Sequence, residues 1–210
     1  DGGEDQPQTG LYLLGPVDNR ALLRCARFTS RPGHSDQLHV DLRRGRHPLA
    51  IDAGTYLYNG APPWDNALAS AGVHNTVIVD ELEPMERAGR FLWLKWAQGQ
   101  VLGRWRSEDG RLEAIAAEHD GYSRLGVTHR RTLIRFDASA WLVVDDLLGD
   151  GDHRARLGWL LADGAWALRP GRLGLHYGRS RADLIFGAPN PRLALYRAGE
   201  LLAGVELPGE

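Results

Sequence analysis

The chain has 210 residues, 43% hydrophobic and 25% charged, with a formal net charge of −2. That length holds one large β domain or two small ones, with a core that needs no disulfide or metal merely to fold. The near-neutral balance, with arginine scattered along the chain, argues against nucleic acid or a membrane as partner, and neither a signal-peptide pattern nor an apolar run of membrane length is present.

Residues 1–9 are polar and read as an arm, disordered or left by the way the chain was cut. From residue 10 to 210 no linker-like stretch intervenes, which predicts a single domain. The sole cysteine, Cys25, cannot form an internal disulfide; its strand-like setting predicts a buried, inert thiol and leaves the compartment open. In Gln37-Leu38-His39-Val40-Asp41-Leu42-Arg43 the apolar residues take every second position, the period of a half-buried strand. Residues 59–72 read as a long loop around Pro62-Pro63-Trp64, with one helical turn at 66–70. Phe91-Leu92-Trp93-Leu94-Lys95-Trp96 and Trp141-Leu142-Val143-Val144 read as strands buried on both faces. Alternation recurs around Ile134 and again around Leu173 and Leu175. Turn signals such as Arg44-Gly45, Asp109-Gly110 and Gly149-Asp150-Gly151-Asp152 separate these runs. Short strands at this spacing predict an all-β fold, an antiparallel multi-stranded β-sandwich.

The chemistry-bearing residues concentrate between residues 31 and 90. If the strand at Leu38 extends backwards, His34 and Asp36 point to the packed side, where polar groups need partners. Asp52 and His74 lie on further strand ends. Two histidines and a carboxylate suit zinc with water in the fourth position. The letters His34-x-Asp36 followed by His74 also match the facial triad of non-haem iron oxygenases. Tyr56, Tyr58 and Trp64 sit nearby as candidate platforms for sugar faces, or as packing for the loop. His39, His47, His119, His129, His153 and His176 show no partner pattern and read as surface or structural.

Three stretches carry a resemblance. Gly33-His34-Ser35-Asp36-Gln37-Leu38, Asp52-x-Gly54-Thr55-Tyr56-x-Tyr58, and His74-Asn75-Thr76-Val77 with Val79-Asp80 together resemble the C-terminal β-sandwich of heparinase II/III-like polysaccharide lyases. The resemblance implies a super-sandwich, β-elimination on uronic-acid polysaccharides, a periplasmic or secreted location, and an N-terminal α/α toroid domain that supplies much of the active site. It implies Zn2+ or another divalent ion on His34, Asp52 and His74. The family's His-x-His-x-Asp pattern has its catalytic histidine first, and here that position holds Pro32. No catalytic residue is therefore assigned to this chain, which is expected to be inactive without the toroid. A register two residues over would make His34 catalytic and put Asp36 on the metal. The rival readings are a non-catalytic carbohydrate-binding sandwich and an iron oxygenase using His34, Asp36 and His74.

Overall fold

The computed structural model describes residues 5–62, 64–137, 139–177, 180–189 and 191–206. Pro63 and residues 1–4 of the expected arm lie outside them. Residues 5–9 are not a free arm. They form a turn in which Gln6 bridges to Leu11 and Asp5 Oδ1 accepts the Leu13 N–H at 2.8 Å.

The regular structure of the described chain is antiparallel β strand with three short 3-10 turns, joined by loops. Among the described residues no helix is long and apolar enough to cross a membrane. The chain divides into two compact units, Asp1–Ala162 and Asp163–Glu210.

The first unit begins with β1 (Leu11–Leu14), β2 (Asn19–Arg24), β3 (Val40–Arg44) and β4 (His47–Ala50), which form one sheet in that order. Short strands follow: β5 (Val77–Val79), β6 (Glu86–Gly89) and β7 (Leu92–Leu94). The second large sheet contains β8 (Gly99–Arg106), β9 (Leu112–His119), β10 (Thr128–Phe136) and β11 (Ala140–Leu148), in the order β11-β10-β9-β8. β12 (Ala155–Leu157) pairs with β5, and β6 pairs with β7. The two large sheets share a core in which Leu14, Leu23 and Val40 from one meet Ile115 and Leu133 from the other, all fully buried. Burying each such side chain stabilises the fold by roughly 1.5–3 kcal/mol.

Alternation on β10 puts His129, Arg131, Leu133 and Arg135 on the inner face. Cys25 is buried as expected, and burial pushes its thiol up to about 12. It packs so tightly against Gly99 that a Cβ there would lie 2.8 Å from Cys25 Sγ.

Two expected doubly buried strands are covered on one side only. β11 is an edge strand of its sheet, and Leu142 is 45% exposed. In β7 only Trp93 is buried, while Leu92 and Leu94 are open to solvent. The long loop forms two short 3-10 turns, Ala67–Ala69 and Ala71–Val73.

The second unit holds a sheet of β13 (Ala165–Arg169), β14 (Arg172–Tyr177) and β15 (Ser180–Ile185), and a hairpin of β16 (Arg192–Arg197) and β17 (Glu200–Glu206). Leu173 and Leu175 of β14 are its buried apolar residues.

Candidate functional site

Three segments of the first unit meet near the start of β3. The β2–β3 connection brings His34 and His39, the chain leaving β4 brings Asp52, and the end of the second 3-10 turn brings His74. Their placement rests on buried polar side chains that staple loop backbone. Gln37 donates to the Ala26 and Ala97 carbonyls at 2.6 and 2.7 Å and accepts the Ala26 N–H at 2.9 Å. Thr76 Oγ1 donates to the Gln37 carbonyl at 2.8 Å. Asn75, fully buried, donates to the Val40 and Ile51 carbonyls and accepts the Leu160 N–H. These amides and the hydroxyl complete backbone that no sheet ladder reaches, which is why polar residues occupy core positions here.

His74 is 1% exposed, and neither of its ring nitrogens has an aligned hydrogen-bond partner. Nδ1 lies 3.2 Å from Asp52 Oδ2, close but out of line. Asp52 is anchored from its other oxygen, which accepts the Gly54 N–H at 2.6 Å. Gly54 adopts a φ of +63°, a turn conformation that glycine takes without strain. The His74 ring and then the Gly54 N–H hold the Asp52 carboxyl well below the usual carboxylate range, against the opposing effect of burial. The His34 ring stacks obliquely beside His74, with centroids 5.4 Å apart, and its Nε2 is 3.5 Å from Thr55 Oγ1. Burial, then His74, lowers the His34 pKa and favours the neutral imidazole, the form that ligates metals.

The structure also brings in a residue read from the sequence as surface or structural. His39, Asp52 and His74 offer ligand atoms all within 4.8 Å of one another, a group that does not include His34. His39 is 4% exposed. β3 starts at Val40 and does not extend back to His34, because Leu38 adopts a φ of +59°. That left-handed residue breaks the alternation and turns His39 inward beside Leu38. No sequence pattern announces it, since leucine is an unusual occupant of this conformation.

His39 differs from His74 in one respect. Its Nδ1 accepts the Asn75 N–H at 2.9 Å, so the ring hydrogen of the neutral form sits on Nε2. Nε2 then donates to Asp41 Oδ1 at 3.0 Å and faces Asp52 Oδ2 at 3.6 Å. His39 has no lone pair left for an ion and acts as a hydrogen-bond partner of the carboxylates. Asp36, by contrast, is turned away and pairs with Arg24 at 3.2 Å, so the oxygenase triad of His34, Asp36 and His74 is not assembled.

Below the site runs a second polar cluster, also absent from the sequence reading. His119 and His129 are fully buried. The Gly121 N–H donates to His119 Nδ1 at 3.0 Å, which fixes every later direction: His119 Nε2 donates to His129 Nδ1 at 3.2 Å, and His129 Nε2 donates to Asp145 Oδ1 at 2.7 Å. Arg131 closes the chain with a two-pronged pair to Asp145 and donates to the Leu38 and Asn75 carbonyls, both at 2.6 Å. It therefore clamps the residues that precede His39 and follow His74. His153, read as surface or structural, pairs with Asp80 at 2.7 Å.

Tyr56, Tyr58 and Trp64 are 67%, 61% and 54% exposed. Tyr56 meets Trp64 edge-on and Tyr58 leans on Phe91, both at 5.6 Å between centroids.

The family described as "Heparinase II/III-like, C-terminal" matches residues 2–194. The chain belongs to the heparinase II/III-like family. Among solved structures, it is similar to the "Heparinase III-BT4657 gene product" at 16% identity and a TM-score of 0.75, covering 98% of this chain and 32% of that one. A heparan sulfate lyase HepC mutant from Pedobacter heparinus gives the same TM-score and coverages at 14% identity. Another heparinase III structure aligns at a TM-score of 0.66 over 91% of this chain. At these identities the likeness is one of fold. The heparinase II/III-like chain spans about a third of the length of these structures. No curated protein matches it by sequence.

Proposed function

We propose that this chain is the sandwich part of a lyase that cleaves uronic-acid polysaccharides by β-elimination, that His34, Asp52 and His74 hold a divalent ion, zinc, and that turnover requires an α/α toroid domain of the same protein. The observation that carries the metal assignment is His74: a buried ring with two unmatched nitrogens beside a carboxylate. Left unmatched, each buried polar atom costs about 1–3 kcal/mol. Two imidazoles and a carboxylate are a donor set that zinc favours. The ion would supply a fixed positive charge tying the three segments together. His39 is excluded as a ligand by its tautomer, and its Nε2–H orients the carboxylates instead.

In this reading the site offers no base for the elimination step, because His34 would be committed to the ion. Pro32 holds the position of the family's catalytic histidine and carries no titratable group. His74 is buried, and His39 has both nitrogens engaged. A general base must reach the proton it abstracts. The exposed Tyr56, Tyr58 and Trp64 provide flat apolar faces for sugar rings of the acidic polysaccharide.

The test has two parts. Elemental analysis of chelator-free protein should find one zinc per chain, lost in His74→Ala. The zinc-loaded chain, incubated with heparan sulfate, alginate or hyaluronan, should give no rise in the ultraviolet absorbance of unsaturated uronate, whereas a longer protein bearing the toroid should. A metal-dependent rise from the chain alone that vanishes in His34→Ala would make the sandwich an enzyme by itself. If the longer protein is also inert, the Pro32 substitution favours the second reading, a carbohydrate-binding sandwich without catalysis.

A further inference from the structure

At the far end of the same two sheets lies a cleft of about 570 Å³ lined by Arg20 of β2, Arg104 and Arg106 of β8, and Arg135 of β10. Arg135 stands four residues along β10 from Arg131, about 13 Å at the rise of a strand, so the cleft shares no residue with the His74 site. A β-bulge builds it. The register of β8 against β9 shifts between Val101 and Gly103, so Arg104 opposes Ile115 and Arg106 opposes Glu113 on the inner face. Without the bulge, Gly103 and Trp105 would continue the inward series of Gly99 and Val101; with it, Trp105 points outward and is 54% exposed.

The charges around the cleft do not cancel. Arg104 pairs with Asp5 and, at 2.8 Å, with Glu113. Glu113 also accepts the Gly15 N–H at 2.9 Å and lies 3.7 Å from Arg135 Nε. Arg135, 5% exposed, gives its terminal nitrogens to the Asp137 and Gly110 carbonyls, but its Nε is buried without a hydrogen-bond partner. Arg20 Nε is likewise buried and unmatched. Among the described residues no ion pair involves Arg20 or Arg106, and the acidic groups that line the cleft with them are Asp109 and Glu113. Asp109 is itself occupied by Ser107 Oγ and the Arg111 N–H.

The guanidinium groups of Arg20 and Arg106, which form no ion pair among the described residues, line this cavity and call for an acceptor with several oxygens and a negative charge. The volume is within the roughly 300–1,000 Å³ of small-ligand sites. We propose that this cleft binds a sulfate or carboxylate group of an acidic glycan, as a second contact independent of the His74 site. The anionic character follows from the arginines; that its carrier is a glycan rests on the function proposed above.

The experiment is calorimetric titration of the full chain with a heparin hexasaccharide, a hyaluronan hexasaccharide bearing carboxylates only, and neutral cellohexaose, with inorganic sulfate as competitor. An acidic hexasaccharide should bind with an affinity that falls as salt rises and as sulfate is added, and cellohexaose should not compete. R20Q and R106Q should each weaken binding about fivefold, and the double variant more than tenfold. Whichever hexasaccharide binds names the group recognised. His74→Ala and zinc removal should leave this binding unchanged, so it survives even if the metal or lyase reading fails. Arg106 is exposed, so R106Q and R106E decide the matter even if R20Q disturbs folding. Wild-type affinity in these variants, cellohexaose binding as tight as the acidic sugars, or no binding of either acidic hexasaccharide would overturn the proposal.

Discussion

Two groups of buried histidines lie in the first unit, and they are partnered in opposite ways. In the His119–His129–Asp145–Arg131 cluster one backbone N–H sets the first tautomer, and each donor thereafter finds an acceptor. At the other, His39 is satisfied in the same manner, but His74 beside it has neither nitrogen matched. The contrast separates structure from function more sharply than burial does. A histidine whose hydrogen bonds close within the protein belongs to the scaffold. One that is equally buried but unmatched is the basis on which a bound ion is proposed here. The two groups are joined, because Arg131 grips the carbonyls of Leu38 and Asn75. The closed cluster therefore holds the open site in shape.

The strongest way to break that arrangement is Arg131→Met. The guanidinium is fully buried, and removing it leaves Asp145 unpaired and two carbonyls without donors. Taking one partner from a buried ion pair costs about 3–5 kcal/mol. Urea denaturation should show a loss of that size, or a chain that no longer folds. A loss below about 1 kcal/mol, the worth of an exposed ion pair, would mean that Arg131 does not clamp the two loops.

The antiparallel sandwich was legible because period-two runs and turn residues bound it at every step. His34, Asp52 and His74 were singled out through the stretches that carry them; the structure sets Asp52 3.2 Å from the His74 ring with the His34 ring beside it, while the group of ligand atoms within 4.8 Å takes His39 in place of His34. What stayed hidden has specific causes. His39 faces the site because Leu38 takes a left-handed φ, which inverts the alternation that pointed His39 to solvent. His119 and His129 lie on alternating strands, but they meet through strand pairing, with His119 opposite His129 in the β9–β10 register, and one sequence does not reveal pairing. Trp141-Leu142-Val143-Val144 looked doubly buried because a continuous apolar run resembles a central strand, yet β11 sits at the sheet edge. The arginine cleft depends on a one-residue bulge that no composition signals.

The next sharpest test uses the metal itself. A ligand that binds only the native state adds about 2.7 kcal/mol at one hundred times its dissociation constant. Zinc should raise the melting temperature of the wild-type chain by several degrees, and His74→Ala should abolish the shift. His119→Ala, although it opens a hole in the buried cluster and lowers the starting melting temperature, should retain the zinc-induced shift. The comparison must therefore be made in the increment with zinc, since both variants lose stability without it. His39→Gln should weaken zinc binding by about tenfold or more and not abolish it, as expected of a residue that orients a ligand. Equal increments in wild type and His74→Ala would remove the distinction between the open and closed clusters.

The smallest effect concerns protons. Burial, then His129 and Arg131, holds His119 below its ordinary pKa in the folded chain, and burial holds His129 down against the opposing hydrogen bond to Asp145. Burial alone would raise Asp145, but Arg131 and the His129 N–H keep it ionised as the acceptor at the end of the chain. Above the unfolded histidine pKa, near 6.5, both states carry these two rings neutral, and they add no pH dependence. As pH falls below that value the unfolded chain takes up protons that the folded chain refuses. Stability is then lost at up to about 1.4 kcal/mol per pH unit for each histidine, until the folded pKa values are reached. Denaturation of metal-free protein at pH 7.5, 6.5 and 5.5, arbitrary points spanning roughly that window, should show little change over the first interval and a loss over the second. In His119→Gln the tautomer constraint is gone and with it one of the three rings held low, His34 being the third, so the slope below 6.5 should fall by up to about a third. An undiminished slope in both His119→Gln and His129→Gln would show that the acid sensitivity arises elsewhere, and that the closed cluster is not held neutral by its own geometry.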